Sequence, residues 1–240
     1  MSSAAVWHEV ECGGYAADLD VWRRLAEPAA GGVLELGAGA GRVALHLARH
    51  GCEVWAVDSD PELIEALVER ASSEGLRVEA VCADVRTLDL ERRFELVIAP
   101  MQLVQMLGGR GSRLAALERI ARHLEAGGRL AAAIVERPGA AVLGAGSGMP
   151  DVRERDGWMF SSVPTVLPAS DGGLEIRRSR QAVSPAGGMS EEQHTERLAG
   201  LDAESFETEA AQADLLPRGR LSVEASDGYL GSTVVVSERV

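Results

Sequence analysis

The sequence predicts an α/β fold: a doubly wound, mostly parallel seven-stranded sheet ending in an antiparallel hairpin, with an antiparallel β insertion after the fifth strand. Three observations predict it. From Val33 to Glu136, short apolar runs alternate with amphipathic stretches, the pattern of a parallel sheet covered on both faces. Glycines at 37, 39 and 41 follow the first run directly and let the backbone turn sharply before a helix begins. Beyond Glu136 a Gly- and Pro-containing loop leads into strand-like runs of period two.

Taken in order, Tyr15 to Glu27 reads as a first helix and Val33 to Leu36 as a first strand. Val43 to Arg49 is a helix and Glu53 to Asp58 a second strand. Asp60 can cap the next helix, with Pro61 at its first position and Leu63, Ile64, Leu67, Val68 and Ala71 in one apolar stripe. Val78 to Cys82 and Phe94 to Ala99 are strands. Ser112 can cap a helix in which Leu114, Leu117, Ile120, Ala121 and Leu124 face inward, and Gly127-Gly128 supplies the positions that end it. Leu130 to Val135 is the fifth strand. Trp158 to Leu167, Leu174 to Val183 and Gln193 to Leu198 form the antiparallel addition. Asp202 can cap a helix running to Ala213, and Arg220 to Ala225 pairs with Leu230 to Ser237 around Ser226-Asp227-Gly228. The chain is thus expected to be one domain over 1–240, with 1–136 and 202–240 as the core and 137–201 as the insertion. Arg137 to Met149 is the expected mobile segment.

Composition narrows the function. The chain has 240 residues, 46% hydrophobic and 25% charged, and no apolar run approaches the roughly 20 residues of a membrane helix. The first ten residues do not resemble a signal peptide, so no membrane partner and a cytoplasmic location are expected. Lys plus Arg total 24 against 37 Asp plus Glu, a net charge of −13, which repels polyphosphate and disfavours nucleic acid. Arg177, Arg178 and Arg180 alternate with other residues as on the wet face of a strand, an anion site being the alternative. Cys12, Cys52 and Cys82 are odd in number and scattered, suggesting buried reduced thiols and neither a disulfide framework nor a metal site. There is no lysine, which excludes lysine-dependent catalysis.

The chemistry-bearing residues gather at the predicted C-terminal edge of the sheet, where open α/β sheets hold ligands. Glu35-Leu-Gly37-Ala38-Gly39-Ala-Gly41 has GxGxG spacing, and Arg42 stands where a dinucleotide fingerprint has its third glycine. Asp58 ends the second strand, where a carboxylate can accept both ribose hydroxyls of any adenosine cofactor. Asp84 follows the third strand and can accept from an adenine amino group. Together with Phe94 to Pro100 and Leu124 to Gly128, these motifs resemble those of the class I S-adenosylmethionine-dependent methyltransferases, closely over about 30–136 and loosely to the last hairpin.

That resemblance implies S-adenosylmethionine as cofactor and S-adenosylhomocysteine as product. It assigns the methionine end to Glu35, Gly37, Ala38, Gly39 and Gly41, ribose to Asp58, and adenine to Asp84 and Val85. Ser59 adjoins the adenosine, and Pro100 and Met101 adjoin the cofactor at the fourth-strand exit. The Asn/Asp-Pro-Pro-Tyr/Phe signature of amide and nucleobase methylation is absent.

The expected acceptor is a small molecule with an O, N or C nucleophile. The alternatives are a protein or peptide acceptor and a SAM-binding protein with a non-methylating role. Tyr15, Gln105 and Met106 are the candidate acceptor contacts. His194 and Glu136 are the candidate general bases, since imidazole titrates near working pH and Glu136 ends the fifth strand. His46, His50 and His123 lie on predicted helices away from the ligand edge. Exposed edges of the added strands make a homodimer a candidate assembly.

Overall fold

A computed structural model describes residues 3–136, 149–226 and 229–240. The segment expected to be mobile, up to residue 148, and the hairpin residues Asp227 and Gly228 lie outside the described residues.

The core is a seven-stranded sheet. Its strands are β1 (Val33–Leu36), β2 (Val54–Asp58), β3 (Val78–Cys82), β4 (Phe94–Ala99), β5 (Leu124–Ile134), β10 (Leu215–Val223) and β11 (Ser232–Arg239). Their order is β10-β11-β5-β4-β1-β2-β3, parallel except for β11, which runs antiparallel to both β5 and β10. Alternation divides the core between the two faces. Leu34, Leu36, Val97, Ala99, Leu130 and Ala132 pack under α6 (Arg110–His123) and α7 (Ala203–Ala211). Val33, Val54, Ala56, Leu96, Ile98 and Ala131 pack under α2 (Leu19–Ala26), α3 (Arg42–Arg49) and α4 (Pro61–Ser73). The strand order reverses between β1 and β4, which opens a crevice at the C-terminal edge.

Over this crevice stands a second, antiparallel sheet of β6 (Asp151–Arg155), β7 (Trp158–Pro168), β8 (Leu174–Val183) and β9 (Met189–Leu198), in that order. Helix α1 (Ser3–Cys12) packs against β6, β7 and α4 and so bridges the two sheets. Helix α5 (Leu103–Met106) follows β4.

Caps account for several boundaries. Asp60 accepts from the Glu62 amide with Pro61 at the first position, and Asp202 accepts from the Ser205 amide. Other expectations are corrected. Ser112 caps nothing: α6 starts two residues earlier, after an extended Gly109, and Ser112 sits in its first turn. The helix ends at His123, because Leu124 is already extended and pairs with Phe94; Gly127, at φ +75°, belongs to an irregularity inside β5. Tyr15 lies between α1 and α2 and not on a helix, and α1, β6 and the early start of β10 at Leu215 were unforeseen.

A buried ion pair ties α6 to α7: Arg113 donates two 2.7 Å hydrogen bonds to Glu209, both side chains 7% exposed. Arg113→Met removes the cation and leaves a buried carboxylate unpaired, which is expected to cost about 3–5 kcal/mol. Urea unfolding checks this, and double replacement of Arg113 and Glu209 by apolar residues should recover most of the loss.

Candidate active site

The crevice is a cavity of about 470 Å³ between the glycine loop and the second sheet, within the range of small-ligand sites. Its floor is the turn after β1. Gly39 has φ +55°, and a Cβ there would lie 2.1 Å from His8 Nε2, so the α1 imidazole packs directly on the loop. Gly41 has φ +90° and precedes α3, and a Cβ there would meet Leu67 at 2.9 Å. Both positions require the left-handed region, and no side chain would fit at either.

Asp58 Oδ2 accepts from the Gly39 amide at 2.8 Å and Oδ1 from the Asp60 amide at 2.9 Å. Two backbone donors therefore fix this carboxylate at the end of β2 and tie it to the loop, leaving its other lone pairs for a ligand. Asp84 is held by the Arg86 amide at 2.8 Å and by the Arg86 guanidinium, which keeps its carboxyl below the ordinary range. Glu35 is 2% exposed and its Oε2 has no hydrogen-bond partner among the described residues. Burial pushes its carboxyl up to about 8, against the pull of Arg42. Arg42 itself forks onto Asp18 at 2.6 and 2.7 Å and donates to the Tyr15 carbonyl, which clamps the N-terminal segment to the loop.

At the β4 exit, Met101 and Gln102 both line the cavity with positive φ, 51° and 60°. Strained non-glycine backbone of this kind concentrates at functional sites.

Of the residues singled out from sequence, Glu35, Gly37, Ala38, Gly39, Asp58, Ser59, Asp84, Val85, Pro100, Met101, Tyr15 and Met106 line this one cavity. The others do not. Gly41 sits below the loop as the cap of α3. The Gln105 amide is spent on the Val135 N–H and on the Val135 and Ala199 carbonyls, pinning α5 to the ends of β5 and β9. Glu136 accepts from the Ala203 amide and the Thr233 hydroxyl and so holds the start of α7. His194 stands on β9, 40% exposed, with Nε2 3.6 Å from Glu196.

Sequence reasoning missed the far wall. Glu11, Asp151, Arg178, Glu196 and Tyr229 line it, and Tyr229 packs on Tyr15 with ring centroids 4.7 Å apart and planes tilted by 32°. Arg178 and Arg180 are not on a wet face: Arg180 forks onto Glu11 at 2.6 and 2.7 Å, while Arg177 pairs outward with Glu175. Burial raises the Glu11 carboxyl, but Arg180, Arg178 and Ser162 outweigh it and hold it low. The only signal for this wall was the strand period, which places Arg178 and Arg180 on one face.

Residues 33–128 match a family model described as "Methyltransferase domain". The chain is 33% identical over 152 residues to an S-adenosyl-L-methionine-dependent Diels-Alderase of Talaromyces variabilis, covering 56% of this chain and 51% of that protein. It is 36% identical over 112 residues to ribosomal RNA small subunit methyltransferase A of an Anaeromyxobacter strain, covering 46% and 37%. The chain thus spans about half or less of the length of these curated relatives. Among solved structures, the sugar N-methyltransferase KedS8 from Streptoalloteichus superposes with a TM-score of 0.80 at 21% identity over 99% of this chain and 93% of that one.

The buried Glu35 carboxyl makes stability depend on pH. Its folded value, about 8, lies above the ordinary 4.5, so the folded state holds a proton that the unfolded chain releases, and the contribution is present below pH 4.5 and lost as pH rises towards 8. In urea titrations, wild-type stability relative to Glu35→Gln is expected to fall across that window and level off above it.

Proposed function

We propose that the chain, whose residues 33–128 match a methyltransferase-domain family model, binds S-adenosylmethionine along the glycine-loop side of the cavity and methylates a small molecule held beneath the insertion. The observation that carries this is the convergence of the glycine loop with Glu35, Asp58 and Asp84 in one cavity at the sheet's C-terminal edge. The donor set fits the cofactor. Glu35 offers a buried, unpartnered oxygen suited to an ammonium group. Asp58 offers a carboxylate oriented by two backbone amides for ribose hydroxyls. Asp84 and Val85 stand where adenine would be read.

When bound, the cofactor supplies a methyl group on a sulfonium centre already activated by its positive charge. The chain's own part is alignment and exclusion of water. Met101 and the strained β4 exit line the junction between loop and far wall, and Tyr15 and Tyr229, their rings in tilted contact, line the cavity between α1 and the β10–β11 turn. The four strands β6 to β9 roof the acceptor end, and a roof of this kind suits a small molecule. A net charge of −13 stands against nucleic acid. No described helix is long and apolar enough to cross a membrane.

A second reading has one observation in its favour. The relative 33% identical over 152 residues is an S-adenosyl-L-methionine-dependent Diels-Alderase, and a chain of this kind can bind the cofactor to use its charge without giving up the methyl group.

Calorimetry tests the binding: S-adenosylmethionine should bind wild type, and Asp58→Ala should weaken it at least about tenfold through loss of a charge-assisted contact. No heat with wild type would remove the proposal. Transfer of labelled methyl to small amines, phenols, carboxylates or peptides then separates the readings, since tight binding without any transfer favours the non-methylating role.

A further inference from the structure

The far wall of the cavity is polar but not uniformly neutralised. Arg178, the one cation on this wall among the described residues, is engaged by Asp151 at 3.2 Å and Glu11 at 3.8 Å, and Glu11 is further neutralised by Arg180. Glu196 is different. It lines the cavity, and among the described residues its one ion-pair partner is the His194 imidazole at 3.6 Å. The groups facing it from neighbouring elements are Cys12 of α1, a half-buried thiol that desolvation pushes up to about 12 and keeps neutral, and Arg178 of β8, diagonal to it across the strand pair. His194 shares the inward face of β9 with Glu196, but β9 is the edge strand, and the imidazole is 40% exposed outside the cavity. Of the three carboxylates that line the wall, Glu196 is thus the one without a guanidinium ion pair among the described residues.

Resting on the proposed methyl transfer, we propose that the acceptor is an amine and that Glu196 binds its ammonium form and takes a proton from it. The chemistry balances. An ammonium nitrogen has no free pair, so its proton goes to Glu196; the freed pair then forms the N–C bond as the S–C bond breaks, and that bonding pair stays on sulfur. The proton leaves Glu196 for solvent, one proton released per methyl transferred. A chain with 37 acidic against 24 basic residues also draws cationic acceptors towards it.

The test uses the full chain saturated with S-adenosylhomocysteine and two probes of matched shape, cyclohexylamine and cyclohexanol. Cyclohexylamine should bind at least about tenfold tighter to wild type, and Glu196→Gln should bring the two within about twofold while leaving S-adenosylhomocysteine affinity unchanged. Equal binding of both probes, or an amine preference that survives Glu196→Gln, overturns the inference while the methyltransferase reading stands. Failure of S-adenosylhomocysteine to bind overturns both.

Discussion

Parallel strands cannot be joined by a tight turn, and every other feature of this molecule follows from how its crossovers meet that constraint. Crossovers after β1 and β2 lay α3 and α4 on one face, and those after β4 and β5 lay α6 and α7 on the other. The two winding directions part between β1 and β4. Among the described residues that parting stays open at the C-terminal edge beside the short α5, so the turn after β1 and the carboxylates at the strand ends line a cavity.

The rest of the chain closes that space. Asp58 holds the glycine loop in place from β2, and Arg42, locked to Asp18, holds the N-terminal segment against it. Helix α1 reaches in both directions: His8 packs on Gly39, Glu9 pairs with Arg70 of α4, and Glu11 pairs with Arg180 of β8. Gln105 and Glu136 do the same work at the opposite side, joining β5 to the insertion and to α7. Two residues expected to act on a ligand thus join the elements that shape its cavity.

The parallel core was legible because each of its strands carries a self-contained apolar run and each crossover a helical stripe. The glycine loop and the three strand-end acids were legible for the same reason, since spacing from a strand end is a local property. Helix α1 was not. Its apolar residues Ala5, Val6, Trp7 and Val10 form no clean stripe, and its charges find partners 61 to 169 residues away. The far wall was hidden likewise: Arg178 and Arg180 look like solvated strand residues until Glu11 arrives from the other end of the chain. His194 was noticed for its chemistry, but its relation to Glu196 appears only when the face of β9 is known.

The central claim is that one cavity is divided between a cofactor half at the glycine loop and an acceptor half beneath the insertion. A crystal structure of the chain with S-adenosylhomocysteine tests it most directly. The account places the adenosine between Asp58 and Asp84 and the amino-acid end beside Glu35 and Gly37 to Gly39, leaving the space lined by Met106, Ile176 and Glu196 free. Density for the ligand in that second space, with the glycine loop bare, would contradict it.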